Sequence, residues 1–545
     1  MTQGTRPSRP DIVILLADDM GFSDIGCYGG EMRTPVLDAL GRDGTRCTQF
    51  YNSPRCSPTR ASLLTGLHPH QVGVGILTGD ERPDGYAGDL SEQCHTIAEL
   101  LRDTGYGTYL AGKWHLSASM TTPTGSWPLE RGFERAYGTI DGAGSYFTPA
   151  TLHREGEDAA AETAADDFYY TDAIGEAGAE YVTEHARQRP DDPLFLYVPF
   201  TAPHWPLHAP EADIERCRGR YDEGWDATRR RRYENLRREG IIDPRWDLSD
   251  RDDSVPAWED AAEHGWQSRR MEVYAAQVEA MDRAIGRIVE ELERTGRLEN
   301  TLLLFLSDNG ACEEEMPPGG DERFRNEPIV PNATRDGREI QLGNNPAIEP
   351  GGEDTYTSYG REWANVSAAP FREYKHWVHE GGISTPLIAH WPAGLGRPGD
   401  LCRVPAQLVD IVPTLLEASG AEYPAQREEH AVPPPEGTSL LPLLRGESTE
   451  HGPLLWEHEG NRAVRSGRWK LVRKHAHPWE LYDLEADRTE LHDLAAENPD
   501  LVAALAAVSE QWARRVGVID RDRILRAQAR RAQEDCAPEG APLPR

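Results

Sequence analysis

Two stretches far apart in the chain constrain the fold most. Asp11-Ile12-Val13-Ile14-Leu15-Leu16-Ala17 and Thr301-Leu302-Leu303-Leu304-Phe305-Leu306 are almost unbroken apolar runs of strand length. Alternation would mark a strand with one wet face; continuous apolarity marks a strand buried on both, as in a parallel sheet covered by helices. Pro193-Leu194-Phe195-Leu196-Tyr197-Val198 is a third such run. Between the runs lie helical patterns. In the clearest, Tyr274, Val278, Met281, Ile285, Ile288 and Leu292 recur at spacings of four and three. Strands and helices alternate through the first four-fifths of the chain, which predicts an α/β fold with a large, mostly parallel sheet flanked by helices.

Polar groups follow each run. Asp18-Asp19 follow the first, Ser307-Asp308-Asn309 the second, and Ala202-Pro203-His204-Trp205-Pro206 the third. Adjacent carboxylates after a buried strand are costly unless a cation holds them; a solvated turn with a helix cap is the alternative. His204 on its stiff loop is either a functional imidazole or one packed against Trp205. The strand Tyr106 to Ala111 runs into Gly112-Lys113-Trp114-His115-Leu116. Lys113 and His115, two apart, would face one side of an extended segment; a surface lysine and a capping histidine is the bland reading. Carboxyl ends of parallel strands share one rim, so these distant residues can converge there.

The segment Cys56-Ser57-Pro58-Thr59-Arg60 reads as a loop entering a helix, with Pro58 in the first turn and Gly66 ending it. Cys56 then sits just before a helix N-terminus with Arg60 about one turn on, a setting that favours an anion. A low-pKa thiol, or an ordinary helix start, fits the same residues.

With 545 residues the chain exceeds one small core, and two domains, one large and one small, are expected. The Pro- and charge-rich stretch Pro424 to Gly437 marks the boundary, giving 1–430, 431–520 and a charged helix with a mobile tail over 521–545. A formal net charge of −34 argues against nucleic-acid and acidic-membrane partners, and an anionic substrate would need local positive charge. No apolar run approaches the ~20 residues of a membrane span. The polar start, Met1 to Pro10, has no signal-peptide hydrophobic region, so a cytoplasmic protein is expected. The eight cysteines are scattered without CxxC pairs, which supports neither zinc nor a disulfide framework. Arg229 to Arg232 reads as a solvated helix face. The Gly- and Pro-rich stretch Ala311 to Arg372 reads as part of a substrate rim. Tyr146, Phe147, Trp205 and Trp363 could hold an aryl group, form a sugar platform, or simply pack.

Cys56 to Arg60 resembles the type I sulfatase signature, Cys-x-Pro-x-Arg followed by a helix. Gly112-Lys113-Trp114-His115-Leu116, Gly132-Phe133-Glu134-Arg135, Pro203-His204, and Lys375 five residues before Glu380-Gly381-Gly382 extend the resemblance over about Asp11 to Leu494. Two departures are Ser117 in place of a common Gly, and Ser384-Thr385 in place of Arg-Val. The resemblance implies an alkaline phosphatase-like fold, with 1–430 the catalytic domain and a small C-terminal antiparallel sheet plus helix. It implies that a formylglycine-generating enzyme oxidises Cys56 to formylglycine, an aldehyde acting as its hydrate. The implied metal ligands are Asp18, Asp19, Asp308, Asn309 and the Cys56-derived group; such hard oxygen donors suit Ca²⁺, with Mg²⁺ the alternative. In the implied mechanism Arg60 and Lys113 steady the hydrate as it attacks sulfur. His204 and Lys375 contact the sulfate and assist the leaving oxygen, and His115 takes the proton that releases sulfate. The implied substrate is a small-molecule sulfate monoester, with arylsulfatase as the class. A phosphodiester or phosphonate monoester hydrolase on the same fold is the rival, and a non-catalytic calcium-binding scaffold a second.

Overall fold

The computed structural model describes residues 9–320, 325, 329–396, 398–427, 429–448 and 451–535. Its centre is the expected mixed, mostly parallel sheet. β1 (Asp11–Ala17) lies between β7 (Leu194–Pro199) and β8 (Thr301–Ser307), parallel to both. β3 (Gly107–Ala111) and β4 (Arg135–Thr139) extend the parallel block beyond β7. On the other side β11 (Ser384–His390) runs antiparallel to β8 and to β2 (Thr45–Tyr51). β2 therefore points the same way as β1 and β8. The short strands β12 (Leu401–Cys402) and β13 (Ala406–Gln407) edge β2, and β5 (Leu152–Arg154) and β6 (Glu157–Asp158) close the opposite edge.

The alternation within β1 shows why the run had to be apolar throughout. Val13, Leu15 and Ala17 enter one core with the helices Tyr170–Gln188 and His264–Arg294. Ile12, Ile14 and Leu16 enter a second with Leu63, Leu64, Leu101 and Leu415, from helices on the opposite face. Neither face of the strand meets water, and hydrophobic burial drives both layers.

Beyond residue 450 a four-stranded antiparallel meander forms: β16 (Leu454–His458), β17 (Asn461–Ser466), β18 (Trp469–Arg473) and β19 (Glu480–Asp483). The helix Pro499–Val516 packs on this sheet through Leu505. Trp456 of β16 caps the base of the signature loop, donating from Nε1 to Asn52 O at 3.0 Å and meeting Tyr51 edge-on. A last helix spans Arg521–Asp535, and 536–545 lie outside the described residues.

One expectation needs correction, and the open reading of the aromatic residues is narrowed. The arginine run is only half solvated: Arg232 is fully buried on Asp24 (2.5 Å) and Glu31 (2.7 Å), and Arg229 donates to Asn365 O. Charge counting along the sequence could not see carboxylates about 200 residues away that neutralise these groups. Trp363 is enclosed by Tyr221, Trp225 and Trp258, and Tyr146 stacks on Tyr169; both are core residues, not a substrate platform. Within Ala311 to Arg372, Tyr359 likewise stacks on Tyr274 at 4.4 Å, and the helix Gly360–Ser367 is mostly buried.

Candidate active site

The directions of the strands assemble the site. β1, β2, β3, β7 and β8 all end at one rim and deliver Asp18-Asp19, the Cys56 loop, Lys113, His204 and Asp308-Asn309 to it. Lys375 reaches the same rim because β11 is antiparallel and the residues that precede it start there.

Cys56 is the first residue of the helix Cys56–Thr65, one position further in than the sequence reading placed it, and Gly66 closes that helix in the left-handed conformation. Its Sγ lies 3.4 Å from His115 Nδ1. Burial pushes the Cys56 thiol up, which counts against the low-pKa reading. Arg60, one turn on, is fully buried and bridges the rim. Its guanidinium donates to Asp308 Oδ2 at 3.0 Å and to Lys113 O at 2.8 Å, and lies 3.6 Å from Asp18.

Lys113 and His115 do converge, but not by strand alternation. Gly112 turns the chain with φ +135°, and a Cβ there would lie 2.0 Å from Pro199 O. His115 itself takes φ +55°. The segment is then pinned by Lys113 N to Pro199 O, Trp114 N to Thr139 O and His115 N to Ile140 O. This twisted path points Lys113 Nζ at Asp18 Oδ2 and turns the His115 ring toward Cys56. A non-glycine residue at positive φ costs about 1–3 kcal/mol, and the surrounding contacts hold it there.

Asp19, also at positive φ, accepts from Lys375 Nζ at 2.8 Å on Oδ2 and from Asn309 Nδ2 at 2.8 Å on Oδ1, and His204 Nε2 lies 3.3 Å from Oδ2. Its carboxyl is held well below the ordinary range: burial works the other way, but the positive charge of Lys375 outweighs it. His204 Nδ1 donates to Trp205 O at 2.7 Å, which leaves Nε2 facing Lys375 at 3.4 Å. Burial lowers His204 to about 4 and His115 well below the usual imidazole range, so both rings are neutral at pH 7. Lys375 stays protonated, because Asp19, Cys312 and Glu314 outweigh its burial. Asp308 is raised to about 7, first by burial and then by the negative charge of Asp18.

Inside this acidic cluster Asp18 Oδ1 and Asn309 Oδ1 are buried without a hydrogen-bond partner. Asp18, Asp19 and His204 each place a ligand atom within 4.8 Å of the others. Orphaned acceptor oxygens beside two carboxylates are what a cation site requires, and the oxygen-rich donor set fits a hard metal.

Sequence reasoning missed Glu314. It binds Arg55 at 2.9 Å and Trp205 Nε1 at 2.7 Å, and lies 3.9 Å from Lys375. In sequence it is the middle of Glu313-Glu314-Glu315, which looks like a solvated acidic run. Thr59 was also missed; its hydroxyl donates to Asp308 O at 2.6 Å and ties the signature helix to the end of β8.

A family described as Sulfatase matches residues 10–421 of this chain. The chain belongs to the sulfatase family. A second match, described as N-sulphoglucosamine sulphohydrolase, C-terminal, spans 372–514 of the sulfatase. An uncharacterized sulfatase of Schizosaccharomyces pombe is 31% identical over 91% of this chain and 92% of its own length. An arylsulfatase of Klebsiella aerogenes is 34% identical over 79% of this chain and 91% of its own. Among solved structures, Ps i-CgsB in complex with k-i-k-neocarrahexaose superimposes with a TM-score of 0.67 at 23% identity, covering 98% of both chains, and supports the fold. The reaction of this sulfatase is sulfate ester hydrolysis. No helix among its described residues is long and apolar enough to cross a membrane.

Proposed function

We propose that this sulfatase is an arylsulfatase-like hydrolase of small sulfate monoesters that works through formylglycine at position 56 and a bound divalent cation. The observation that carries this reading is the placing of Cys56, at a helix start, 3.4 Å from a neutral imidazole and among three buried cations. The likeness to the Klebsiella aerogenes arylsulfatase supports the substrate class.

Asp18, Asp19, Asp308 and Asn309 would hold the cation, Ca²⁺ before Mg²⁺. Bound there, it would offset the sulfate's negative charge and lower the pKa of a nearby hydroxyl. Formylglycine at position 56 would supply, as its hydrate, one hydroxyl to attack sulfur and a second through which sulfate is expelled. Arg60 and Lys113 already converge beside residue 56 from buried positions and stabilise negative charge that develops there. Lys375 carries a proton in the resting site and His204 does not, so Lys375 protonates the leaving oxygen while His204 orients the ester through Nε2. His115 is neutral and faces residue 56, as a base must. The formylglycine-generating enzyme would be the maturation partner. The cytoplasm would be the site of action, consistent with the buried free thiols Cys27, Cys94 and Cys217.

Two measurements on one preparation test this. The peptide containing Cys56, from cells carrying the modifying enzyme, should be about 18 Da lighter than its thiol form, or nearly unchanged if hydrated. The same protein should release sulfate from an aryl sulfate faster than phosphate from the matching aryl phosphodiester. A persistent thiol, or a faster phosphodiester rate, overturns the reading.

A further inference from the structure

The described cysteines are all free thiols. Two of them, distant in sequence, are neighbours. Cys402 on β12 is the direct register partner of Cys47 on β2, in parallel pairing. Register partners in adjacent strands lie ~4.7–4.9 Å apart, inside the ~4.4–6.8 Å Cα separation that a disulfide needs. Both side chains face the same apolar layer: Cys47 is 2% exposed, and Cys402 packs against that cluster while remaining partly exposed.

We propose that Cys47 and Cys402 are a modification site, a dithiol that low-molecular-weight disulfides convert reversibly to a cross-strand disulfide. The neighbouring Cys47 thiol outweighs burial and pulls the Cys402 thiol down to about 7, so its thiolate is present at neutral pH. Cys402 is also the partner a small oxidant can reach. Its thiolate attacks one sulfur of glutathione disulfide and expels glutathione thiolate, forming a mixed disulfide. The Cys47 sulfur then attacks the Cys402 sulfur, and a second glutathione leaves with the Cys47 proton. The protein's two thiols lose two electrons in total, glutathione disulfide gains them, and two glutathione thiols are released.

The bond would fasten the edge of the sheet. Among the described residues β12 pairs with β2 alone, with Arg46 N to Asp400 O at 3.0 Å and Thr48 Oγ1 to Cys402 O at 3.3 Å beside the pair. β2 runs straight into Asn52 and the signature loop, so the staple would sit just upstream of Cys56.

The test incubates the full-length native protein with glutathione disulfide, alkylates the remaining thiols, and maps peptides without reduction. The expected result is one linked pair, Cys47 with Cys402, lighter than the two peptides together by two hydrogens. Two thiols should be lost from the count taken in denaturant, dithiothreitol should restore them, and the oxidised form should melt at a higher temperature than the reduced. Cys47→Ser should stop the reaction at Cys402 carrying one glutathione; the wild-type map decides the matter even if that variant folds poorly. Wild-type Cys402 held as a stable glutathione adduct, or both thiols still alkylatable after treatment, would overturn the proposal. None of these readouts depends on sulfatase activity.

Discussion

In the proposed mechanism the chemistry turns on one side chain, residue 56. A serine there could accept the sulfuryl group but could not expel it by elimination. Cys56→Ser should therefore be inert or trap a covalently sulfated enzyme, seen as a mass increase after substrate is added; steady multiple turnover would sink the mechanism. His115 faces residue 56 as a neutral ring, so His115→Ala should lower kcat by about 10²–10⁴ with little change in KM. A titration at the residue scale lies outside the site. The hydrogen bond of His451 to Asp410, at 2.8 Å, outweighs its burial and raises His451 above the ordinary imidazole value. A folded-state pKa above the unfolded one adds stability that is complete below about 6.5 and fades as pH rises through the folded value. The denaturant midpoint of the wild type should fall relative to His451→Gln between about pH 6 and pH 8, and parallel curves would refute the assignment.

At the scale of elements, the approach to β11 is held by buried charge. Glu380 sits at the start of the short helix before β11 and accepts from Lys470 Nζ of β18 at 2.9 Å, Arg488 Nε at 2.8 Å and Tyr51 OH at 2.8 Å. The positive partners outweigh burial and hold the carboxyl at about 2. This network joins the C-terminal meander to β2 and β11, the strands that frame Cys56 and Lys375. Glu380→Gln leaves two buried cations short of a partner and should cost about 3–5 kcal/mol in urea unfolding. A cost below about 1 kcal/mol would mean that Glu490, 2.8 Å from Lys470, carries the pairing alone. The sequence marked Glu380 only as part of Glu-Gly-Gly; its partners lie about 90 and 108 residues on and became visible only in three dimensions.

For the whole molecule, the proposed cation links ligand binding to stability. Asp18-Asp19 and Asp308-Asn309 come from opposite halves of the chain, so a bound ion stabilises the folded state alone. Adding Ca²⁺ to chelator-treated protein should raise the unfolding midpoint and restore activity, with about 2.7 kcal/mol gained at a hundredfold excess over Kd. Asn309→Ala should weaken that response more than about tenfold, since even outer-shell partners of a metal matter that much. A chelated enzyme that keeps its full rate and midpoint would remove the metal from the proposal.

The sequence by itself determined the α/β layering, because runs such as Asp11–Ala17 are apolar at both periodic positions and can be satisfied only between two helical layers. It also determined where most polar candidates lie, since Asp18, Asp19, Asp308 and Asn309 follow those runs directly, and parallel strands end on one side. Chemical type was legible in Cys56 to Arg60 because the signature is local. Tertiary structure alone decided which candidates touch. It paired Arg60 with Asp308, put Lys375 on Asp19 through an antiparallel strand, and twisted Gly112 to His115 so that lysine and histidine meet different partners. It also recruited Glu314, buried Arg229 and Arg232, and withdrew Tyr146 and Trp363 into the core. The physical reason is the same in each case. Periodicity records what a residue's own strand or helix requires, whereas the worth of a buried charge or ring depends on partners that only the folded chain brings within a few ångströms.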